Sequence, residues 1–508
     1  MIVALAISIM FSLVVGILAA RNRKAESILI PLLDVLQSIP ILGFFPIVIL
    51  GIIAVFPSQI GVNLAVILLI FTSMSWNIAF GVYEAVKSIP QDYLDLMNVS
   101  RSSSWERVTS LYIPASLSRI AYNTQTSWAV GLFYLVASEI LTLGNTTYTV
   151  QHGIGVALIE FASAKDYTAY SYAVIALIVA VVIWRFVFLR EFALWSERYK
   201  FVEEPRYAHN DPLMRIYSWV NQRSIQKLFL LSHGRGVTKF TSVLYRFRRS
   251  IKYSIAAVLI LSAMILVYNA FTMRLHIETG FFTPVPISLV VSDETHVLTA
   301  FAVSFVRIWY VYILCVGVGV PLGIVISLRM KLYDTVSPVL EVISSIPAPA
   351  LLPLIVALFM GSGELVAAMI IFIAMIWYII FDVMAGLRTL PADYLDLAKI
   401  LHVSRREAWL DIYIPSTMTA FVTGSITAIG AAWNSLIVAE YFTTGQNSQP
   451  MTQVRLGIGK TITIATNQGD LLMLTLSIVT MTLLILVFNL TVWRRVYNYV
   501  TKKYTYNR

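Results

Sequence analysis

The chain has 508 residues, of which 58% are hydrophobic and 13% are charged, and its mean hydropathy is +0.77. These values exclude an ordinary soluble globular protein and indicate a chain whose main solvent is lipid. The formal net charge of +10 does not indicate nucleic-acid binding, because the basic residues cluster between or after apolar stretches, as in the cytoplasmic loops of membrane proteins. The composition therefore predicts an all-α polytopic protein of the cell membrane, in contact with lipid.

Apolar stretches long enough to cross a bilayer recur along the chain, and we count about eleven spans. The clearest are Ile2–Ala20, Gly61–Phe80, Ile120–Leu141, Tyr253–Phe271, Leu298–Leu328 and Leu471–Leu490. The first has no preceding basic residue and no small-residue cleavage site, so we predict a retained helix rather than a cleaved signal. The single cysteine, Cys315, lies in an apolar span, which excludes a disulfide and predicts a buried thiol.

An internal repeat relates two parts of the chain. The nonapeptide Ser88–Leu96 recurs as Thr389–Leu397, and Tyr112–Pro114 recurs as Tyr413–Pro415 at the same offset. Other matched segments are Leu33–Pro40 with Leu340–Pro347, Ala137–Glu139 with Val438–Glu440, and Gly153–Gly155 with Gly457–Gly459. We therefore divide the chain into a first half (1–190), a basic cytoplasmic linker (191–252) and a second half (253–508).

With the basic segments in the cytoplasm, both halves have the same orientation in the membrane. Parallel repeats predict two helical bundles related by a pseudo-twofold axis along the membrane normal, with a pathway between them. Part of the linker is either an interfacial helix on anionic lipid or a solvated tether. The first half lacks a counterpart of the span Tyr253–Phe271. Either the reading frame starts too late or this half dispenses with that helix, and we favour the late start.

Each half contains one long cytoplasmic loop with the same local signals. A proline followed two residues later by an aspartate suits the first turn of a short helix. A Ser-x-x-Glu capping box then starts a second helix, at Ser103–Glu106 and at Ser404–Glu407. Because proline interrupts a helix interior, we expect the second helix to be about two turns long and to end before Pro114 or Pro415.

These loops resemble the cytoplasmic signature of ABC importer permeases, which reads Glu-Ala-Ala, three residues, Gly, nine residues, Ile-x-Leu-Pro. In that register Asp95 and Asp396 hold the Glu position, Met97 and Ala398 the second Ala, and Pro114 and Pro415 the closing Pro. Arg101 and His402 replace the signature Gly, so we expect the turn there to differ from the family's. Three further segments resemble the nitrate/sulfonate/taurine branch of the family: Ala431-Ala432-Trp433, Val438-Ala439-Glu440 and Gly457-Ile458-Gly459.

The resemblance implies that the chain is the permease of an ABC importer, with two halves fused and a short coupling helix in each loop. Two ATP-binding subunits would bind the loops, through residues that include Asp95, Ser103, Glu106, Pro114, Asp396, Ala398, Ser404, Glu407 and Pro415. An extracytoplasmic binding protein would deliver the solute, and the branch implies a small anion such as nitrate, taurine or another sulfonate.

No catalytic residue, metal or cofactor is predicted in the chain itself. The segment Gly457–Thr461 ends like a P-loop, but Val454 stands where that pattern requires Gly. The six histidines show no ligand spacing, and no nucleophile triad is apparent. ATP hydrolysis is therefore assigned to separate subunits.

Five residues are candidates for the pathway or its gate. Glu139 and Glu440 lie near the outer ends of spans, where we favour a gate or structural role over a pathway or a binding-protein contact. Arg307, within a span, either attracts an anion or pairs with an acid elsewhere in the bundle, and we favour the pair. Trp433 and Asn434 either line the pathway or pack between helices.

Two other classes compete with this interpretation. A secondary transporter with two parallel six-helix-type repeats would share the repeat and the spans, but it needs ionisable groups in mid-membrane and no duplicated docking helices. A membrane scaffold or receptor would have no pathway.

Overall fold

The computed structural model describes residues 1–38, 40–45, 48, 52, 56, 59–143, 146–149, 153–196, 199, 287–359, 362–388, 390, 400–442 and 452–504. These residues are mostly helical, and the same series of elements occurs once before and once after the linker. The described part of the linker is limited to its first six residues and Tyr199. The predicted span Tyr253–Phe271 lies outside the described residues.

The first half contains the helical residues 41–45 and a series of nine helices with given bounds, the last of which extends into the linker. They are α1 (Ile2–Arg21), α2 (Arg23–Ser38), α3 (Gln59–Lys87), α4 (Gln91–Val99), α5 (Ser104–Arg107), α6 (Ile113–Ser138), α7 (Ile154–Ser163), α8 (Tyr167–Ile183) and α9 (Arg190–Ser196). Turns of π-helix, Val108–Tyr112 and Trp184–Leu189, make α5 continuous with α6 and α8 continuous with α9.

The second half has the same order within its described residues, except that α12 corresponds to the helical residues 41–45 of the first half and the counterpart of α4 lies outside the described residues. Its helices are α10 (Ile287–Leu328), α11 (Met330–Ser344), α12 (Ala348–Leu358), α13 (Gly363–Arg388), α14 (Arg405–Glu407), α15 (Ile414–Glu440), α16 (Ile458–Gln468), α17 (Leu471–Phe488) and α18 (Arg494–Tyr504). The π turns are Ala408–Tyr413 and Asn489–Trp493, again between α14 and α15 and between α17 and α18.

Seven helices of the described residues are long and apolar enough to cross a membrane, or eight if the bent pair α11 and α12 counts as one span. Helices α11 and α12 meet at 87°. Two predicted bounds need correction. α6 ends at Ser138 rather than Leu141, because the chain turns into a β-strand there, and α10 begins at Ile287, well before Leu298.

Two short antiparallel β-ribbons interrupt the helical fold at equivalent places. In the first half β1 (Ile140–Leu143) pairs with β2 (Thr146–Thr149), and in the second half β3 (Tyr441–Phe442) pairs with β4 (Thr452–Gln453). Each ribbon directly follows the repeated glutamate and reverses the chain. The ribbon therefore brings the start of α7 or α16 back against the end of α6 or α15.

Small residues let the helices of each half approach closely. In α1, a Cβ at Gly16 would lie 2.8 Å from the Cβ of Val82 on α3. At the equivalent place in the second half, a Cβ at Gly323 would lie 2.9 Å from a methyl carbon of Val383. Close backbone contact of this kind holds helices together in lipid, where the hydrophobic effect does not drive helix association.

The two halves share a continuous apolar core. The largest cluster of buried residues joins Ile41, Leu42 and Tyr134 of the first half to Leu352 and Leu436 of the second. In addition, the Tyr170 hydroxyl donates to the Ala350 carbonyl at 2.5 Å. The structure therefore describes one bundle made from two related halves. The chain is an all-α polytopic membrane protein apart from its two ribbons.

Candidate functional site

Both predicted capping boxes are present. Ser103 N donates to the Glu106 carboxylate at 2.7 Å, and Glu106 N donates to Ser103 Oγ at 3.2 Å. In the second half, Ser404 N donates to Glu407 at 2.9 Å and Glu407 N donates to Ser404 Oγ at 3.3 Å. Each reciprocal pair satisfies two backbone donors that a helix start leaves free, so the chain starts a helix at the same place in both halves.

The helix that starts there does not end before the proline, and the prediction of a separate two-turn helix was wrong. Pro114 and Pro415 are the second residues of α6 and α15, and a π turn precedes each of these helices. In that turn Ile113 N bonds to Val108 O, five residues back. A π turn widens the backbone and relieves the clash that proline makes in a straight α-helix. The capping box therefore marks the start of the long span itself.

The positions of the missing signature glycine keep a glycine-like backbone. Arg101 has φ of 50° and His402 has φ of 53°, both in the left-handed region that glycine adopts most easily. A side chain in this conformation costs about 1–2 kcal/mol. The expectation that the turn differs from the family's stays a prediction.

A side chain that the sequence did not single out ties α4 to the span. Arg107 Nε donates to Ser102 O at 3.1 Å, and its Nη2 donates to Met97 O at 3.4 Å. Met97 is near the end of α4, where helix carbonyls lack partners and attract a cation. The hydrogen bonds of Arg107 therefore link the C-terminal end of α4 to the start of the long helix.

The short helix α4 exposes an apolar face. It has no buried residue, and Tyr93, Leu96 and Val99 are 44%, 62% and 82% exposed at a spacing of three residues. Asp95 is also exposed and accepts a hydrogen bond from Gln91 at 3.1 Å. Of the equivalent loop, Asp396 and Ala398 lie outside the described residues. An exposed apolar face on a structured loop is typical of an interaction surface.

The C-terminal ends of α3 and α13 are held against the preceding amphipathic helix, α2 or α11, by different interactions. Lys87 donates to the Glu26 carboxylate at 2.7 Å, and the Tyr83 hydroxyl donates to it at 2.5 Å. These bonds lower the pKa of Glu26, with the Lys87 hydrogen bond as the main cause. In the second half, Arg388 instead stacks on the Tyr333 ring, 3.9 Å from its centroid. Both arrangements fix the point where the chain enters the loop.

At the outer end of the second half, Glu440 is fully buried in a network of donors. It accepts from Ser304 Oγ at 2.5 Å, from Gly459 N at 2.7 Å and from the Arg307 guanidinium. Arg307 in turn forms a two-pronged pair with Glu364, both bonds at 2.9 Å. Of the two roles weighed for Arg307, the structure shows the pairing with acids. Ser304 and Glu364 were not anticipated, because they are distant in sequence.

Glu139 occupies the same place in the first half with fewer partners. It is 5% exposed and accepts from Gly155 N at 2.5 Å and from Val156 N at 3.3 Å. Both glutamates end one long helix and receive the N-terminus of the next, whose positive end favours a carboxylate. The C-terminal end of α6 or α15 is negative and disfavours a carboxylate. The positive N-terminal end of α7 or α16 offsets this penalty.

This contact explains the repeated Gly-x-Gly motif. A Cβ at Gly153 or Gly155 would overlap the Glu139 carboxylate, and a Cβ at Gly457 would overlap that of Glu440. Only glycine lets the backbone come so close to the carboxylate. The Gly457–Thr461 segment is therefore the buried start of a helix held by a glutamate, with the following Ile458 fully buried.

Trp433 and Asn434 have different surroundings. Trp433 is 4% exposed and stacks on Phe301 at 5.1 Å, so it packs between helices. Asn434 lies where the halves meet, since its Oδ1 accepts from Ile41 N of the first half at 2.8 Å. Nearby, a Cβ at Gly43 would lie 3.6 Å from Ile437. The halves are thus in contact near the outer end of α15.

The polar contacts described above lie at the loops, at the outer helix ends and between the halves. Among the residues that the structure describes, no group of three His, Cys, Asp or Glu side chains is placed to hold a metal ion. Fold and site together define a multi-pass membrane protein built from two related halves, each with an equivalent loop before its long helix α6 or α15.

The model of the family "binding-protein-dependent transport system inner membrane component" matches the chain twice, over residues 12–195 and 319–505. The chain belongs to this family, as the sequence resemblance predicted. The two matches coincide with the two structural repeats. The protein is therefore a multi-pass component of the inner membrane, and the family is one of transport permeases.

Curated relatives include anion and taurine permeases. The chain is 32% identical over 169 residues to the nitrate import permease protein NrtB of Leptolyngbya laminosa, which is 33% of this chain and 57% of that protein. It is 29% identical over 142 residues to the bicarbonate transport system permease protein CmpB of Synechocystis sp. (28% and 50%), and 27% identical over 139 residues to the taurine transport system permease protein TauC of Escherichia coli (27% and 50%). The chain spans about half the length of the curated relatives it matches.

Proposed function

We propose that the chain forms the translocation pathway of an ATP-driven importer, with both halves in one polypeptide. Two ATP-binding subunits bind the cytoplasmic loops, hold the ATP and hydrolyse it, and an extracytoplasmic binding protein delivers the solute. The proposed solute is a small anion of the kind named for the relatives, such as nitrate, bicarbonate or a sulfonate. Taurine itself is included as a sulfonate.

The observation that carries this proposal is the continuity of the loop with the span. From Arg405 to Glu440 the second half has one continuous helix of 36 residues, about 54 Å long at 1.5 Å per residue. Its cytoplasmic end is the capping box and its outer end is the glutamate that holds α16. A displacement imposed on the loop by a nucleotide-driven partner is thereby carried along a rigid rod to the outer side.

The exposed apolar face of α4 supports the same assignment. A loop that only joined two spans would gain nothing from a helix with three exposed apolar residues on one face. Leu96 and Val99 are suited to burial against a partner, and Asp95 and Asp92 lend the same helix negative charge. A secondary transporter driven by an ion gradient needs no such surface, and it is the alternative that the experiment addresses.

The test is reconstitution of the chain with its ATPase and binding protein, followed by ATP-dependent uptake of nitrate. Leu96→Asp should abolish co-purification with the ATPase while the thermal stability of the chain is unchanged, because Leu96 is 62% exposed. Tyr499→Asp, which alters an equally exposed residue on α18, is the matched control and should bind normally.

The capping boxes provide a second perturbation. Replacing Ser404 and Glu407 together by Ala removes two backbone hydrogen bonds at the helix start, which typically costs about 0.5–2 kcal/mol locally. We expect weaker ATPase binding and lower uptake with an intact membrane core. Ser103 and Glu106 allow the same replacement in the other half. If all these variants bind ATPase and transport normally, or if uptake follows an ion gradient without ATP, the proposal is wrong.

A further inference from the structure

The last helix described in the second half, α18, concentrates positive charge. It contains no acidic residue, and its four cations are Arg494, Arg495, Lys502 and Lys503. All four side chains are exposed, and within the described part of the chain none of them pairs with a carboxylate. Exposed charge of one sign on a structured helix attracts a partner of the opposite sign.

The four cations lie on one side of α18, which we call the basic face. At 3.6 residues per turn, their positions span half of the helix circumference. Val500, on the opposite side, is 8% exposed, and Trp493 just before the helix stacks on Trp309 with ring centroids 6.5 Å apart. The helix packs against α15, and Val500 belongs to the core cluster that joins the halves. The described residues therefore hold one side of α18 and leave the basic face exposed.

The basic face continues a row of side chains that faces lipid. On α17 and the π turn after it, Leu483, Val487 and Leu490 are 54%, 55% and 49% exposed, at spacings that place them on one side of the helix. Exposed apolar side chains on a membrane span contact acyl chains. Arg494 follows Leu490 by four residues, and the π turn keeps α17 and α18 continuous. The basic face therefore begins on the lipid side of the helix.

The length of the span places the start of the basic face at the membrane surface. From Leu472, where the apolar span begins, to Arg494 the helix rises about 33 Å, close to the hydrocarbon thickness of about 30 Å. Tyr497 and Tyr499 are 40% and 63% exposed, and tyrosine is enriched at the level of the headgroups. Lys503 Nζ lies 5.7 Å from the centroid of the Tyr499 ring. Cations beside amphipathic rings suit the headgroup layer.

The first half does not repeat the pair of arginines. At the offset of the repeated Gly-x-Gly motif, Arg190 and Glu191 of α9 stand where α18 has Arg494 and Arg495. The charges at these two positions therefore cancel in the first half and add in the second. The doubled charge is a feature of the second half and not a consequence of the repeat.

We propose that the basic face of α18 binds the headgroups of anionic phospholipids in the cytoplasmic leaflet and thereby steadies α15. Charge complementarity supplies the attraction, since each Lys or Arg at an anionic membrane surface strengthens binding about fivefold. The lipid-facing row that leads to Arg494 favours lipid over an acidic surface of another subunit, because the cations continue a face that contacts acyl chains. Lipid without net charge lacks the group that these cations attract.

A titration of the full chain tests the lipid site without solute or ATPase. Asn498→Cys places a thiol in the middle of the basic face, and Cys315 is fully buried and will not compete for a bimane label. The labelled protein, in mixed micelles of detergent and phosphatidylcholine, is titrated with phosphatidylglycerol, and bimane emission reports binding. Adding Arg494→Gln and Arg495→Gln should weaken the apparent affinity about 25-fold, about fivefold for each cation. Arg494→Lys with Arg495→Lys keeps the charge and should retain the affinity.

Two controls separate the lipid site from other partners. Arg405→Gln with Arg406→Gln neutralises another pair of neighbouring, exposed arginines and should leave the affinity unchanged. Glycerol 3-phosphate, which has the phosphate but no acyl chains, should not compete, and competition would show a phosphate site instead. An affinity unaltered by Arg494→Gln with Arg495→Gln would overturn the proposal. If that variant loses only its ATPase, the basic face is a subunit contact and the proposal is likewise wrong.

The effect on α15 rests on the proposed import and is tested by ATP-driven nitrate uptake into proteoliposomes that hold the complete transporter. The unaltered protein should take up nitrate about fivefold faster in equal parts of phosphatidylcholine and phosphatidylglycerol than in phosphatidylcholine alone. Arg494→Gln with Arg495→Gln should show the same rate in both. Equal rates for the unaltered protein, with the expected titration, would refute the effect on transport and leave the lipid site established. If the unaltered protein takes up neither nitrate nor an alkanesulfonate, the proposed solute class fails, and the titration still decides the lipid site.

Discussion

Glu440→Gln tests the buried network at the outer end of the second half. The change keeps the shape and one acceptor oxygen, but it removes the charge that faces Arg307, which is 2% exposed. Two unit charges 4 Å apart attract by about 4 kcal/mol at an effective dielectric constant of 20, and removal of one partner from a buried pair costs about 3–5 kcal/mol. Because Glu364 still pairs with Arg307, we expect a loss of about 3 kcal/mol in the free energy of unfolding.

The repeat provides a matched control. Glu139 holds α7 in the same way, but its hydrogen bonds in the described structure come only from backbone N–H groups. Glu139→Gln should therefore cost only about 1–1.5 kcal/mol, the usual scale of one weakened hydrogen bond and a lost helix-end charge. Combining Arg307→Met with Glu440→Gln removes both charges and should recover most of the stability that Glu440→Gln loses.

The assay is SDS-induced unfolding in mixed micelles, followed by tryptophan fluorescence, on the four proteins in parallel. Equal losses for Glu440→Gln and Glu139→Gln would refute the reasoning, because they would show that the Arg307 pair adds nothing. The same variants should be assayed for ATP-driven uptake, since a gate or ion-pair role predicts impaired transport by a folded protein. Normal uptake in both glutamine variants would rule out that role.

Three further predictions follow from local geometry. Arg101→Gly should raise the free energy of unfolding by up to about 1 kcal/mol, because glycine adopts the left-handed turn without strain. Arg101→Ala should not raise the free energy of unfolding. Gly457→Ala should destabilise the second half and displace the chain where it leaves α15, because the added Cβ overlaps Glu440. A stability equal to that of the unaltered protein would contradict the close approach. The Lys87–Glu26 pair should be present above the ordinary carboxyl pKa and be lost as the pH falls through the lowered pKa of Glu26. The thermal midpoint should therefore decline less on acidification in Glu26→Gln than in the unaltered protein, and identical pH profiles would argue against the pair.

Local and periodic signals account for what could be predicted in advance. The spans follow from apolar length, and the capping boxes follow from Ser and Glu three residues apart, because both depend on residues close in sequence. The buried thiol of Cys315 and the position of Glu440 at the end of a long helix were predictable for the same reason. The repeat also identified every pair of equivalent residues used for the matched variants.

Backbone features that depend on how a helix continues were not predictable. Pro114 is a helix breaker by local rule, yet a π turn carries the helix through it, and Arg101 adopts a conformation that its residue type disfavours. In both cases the packing of the surrounding helices overrides the preference of one residue. The ribbons after the glutamates were missed because two to four residues of strand leave no periodic signal.

The sequence by itself determined that this is a two-fold repeated membrane protein with two cytoplasmic loops of the same design, since hydropathy, charge asymmetry and capping are properties of neighbouring residues. Only the tertiary structure decided which charges meet. Arg307 lies 133 positions from Glu440 and 57 positions from Glu364. Burial in a low-dielectric bundle decides the energy of such charges, and burial is set by packing that no local pattern encodes.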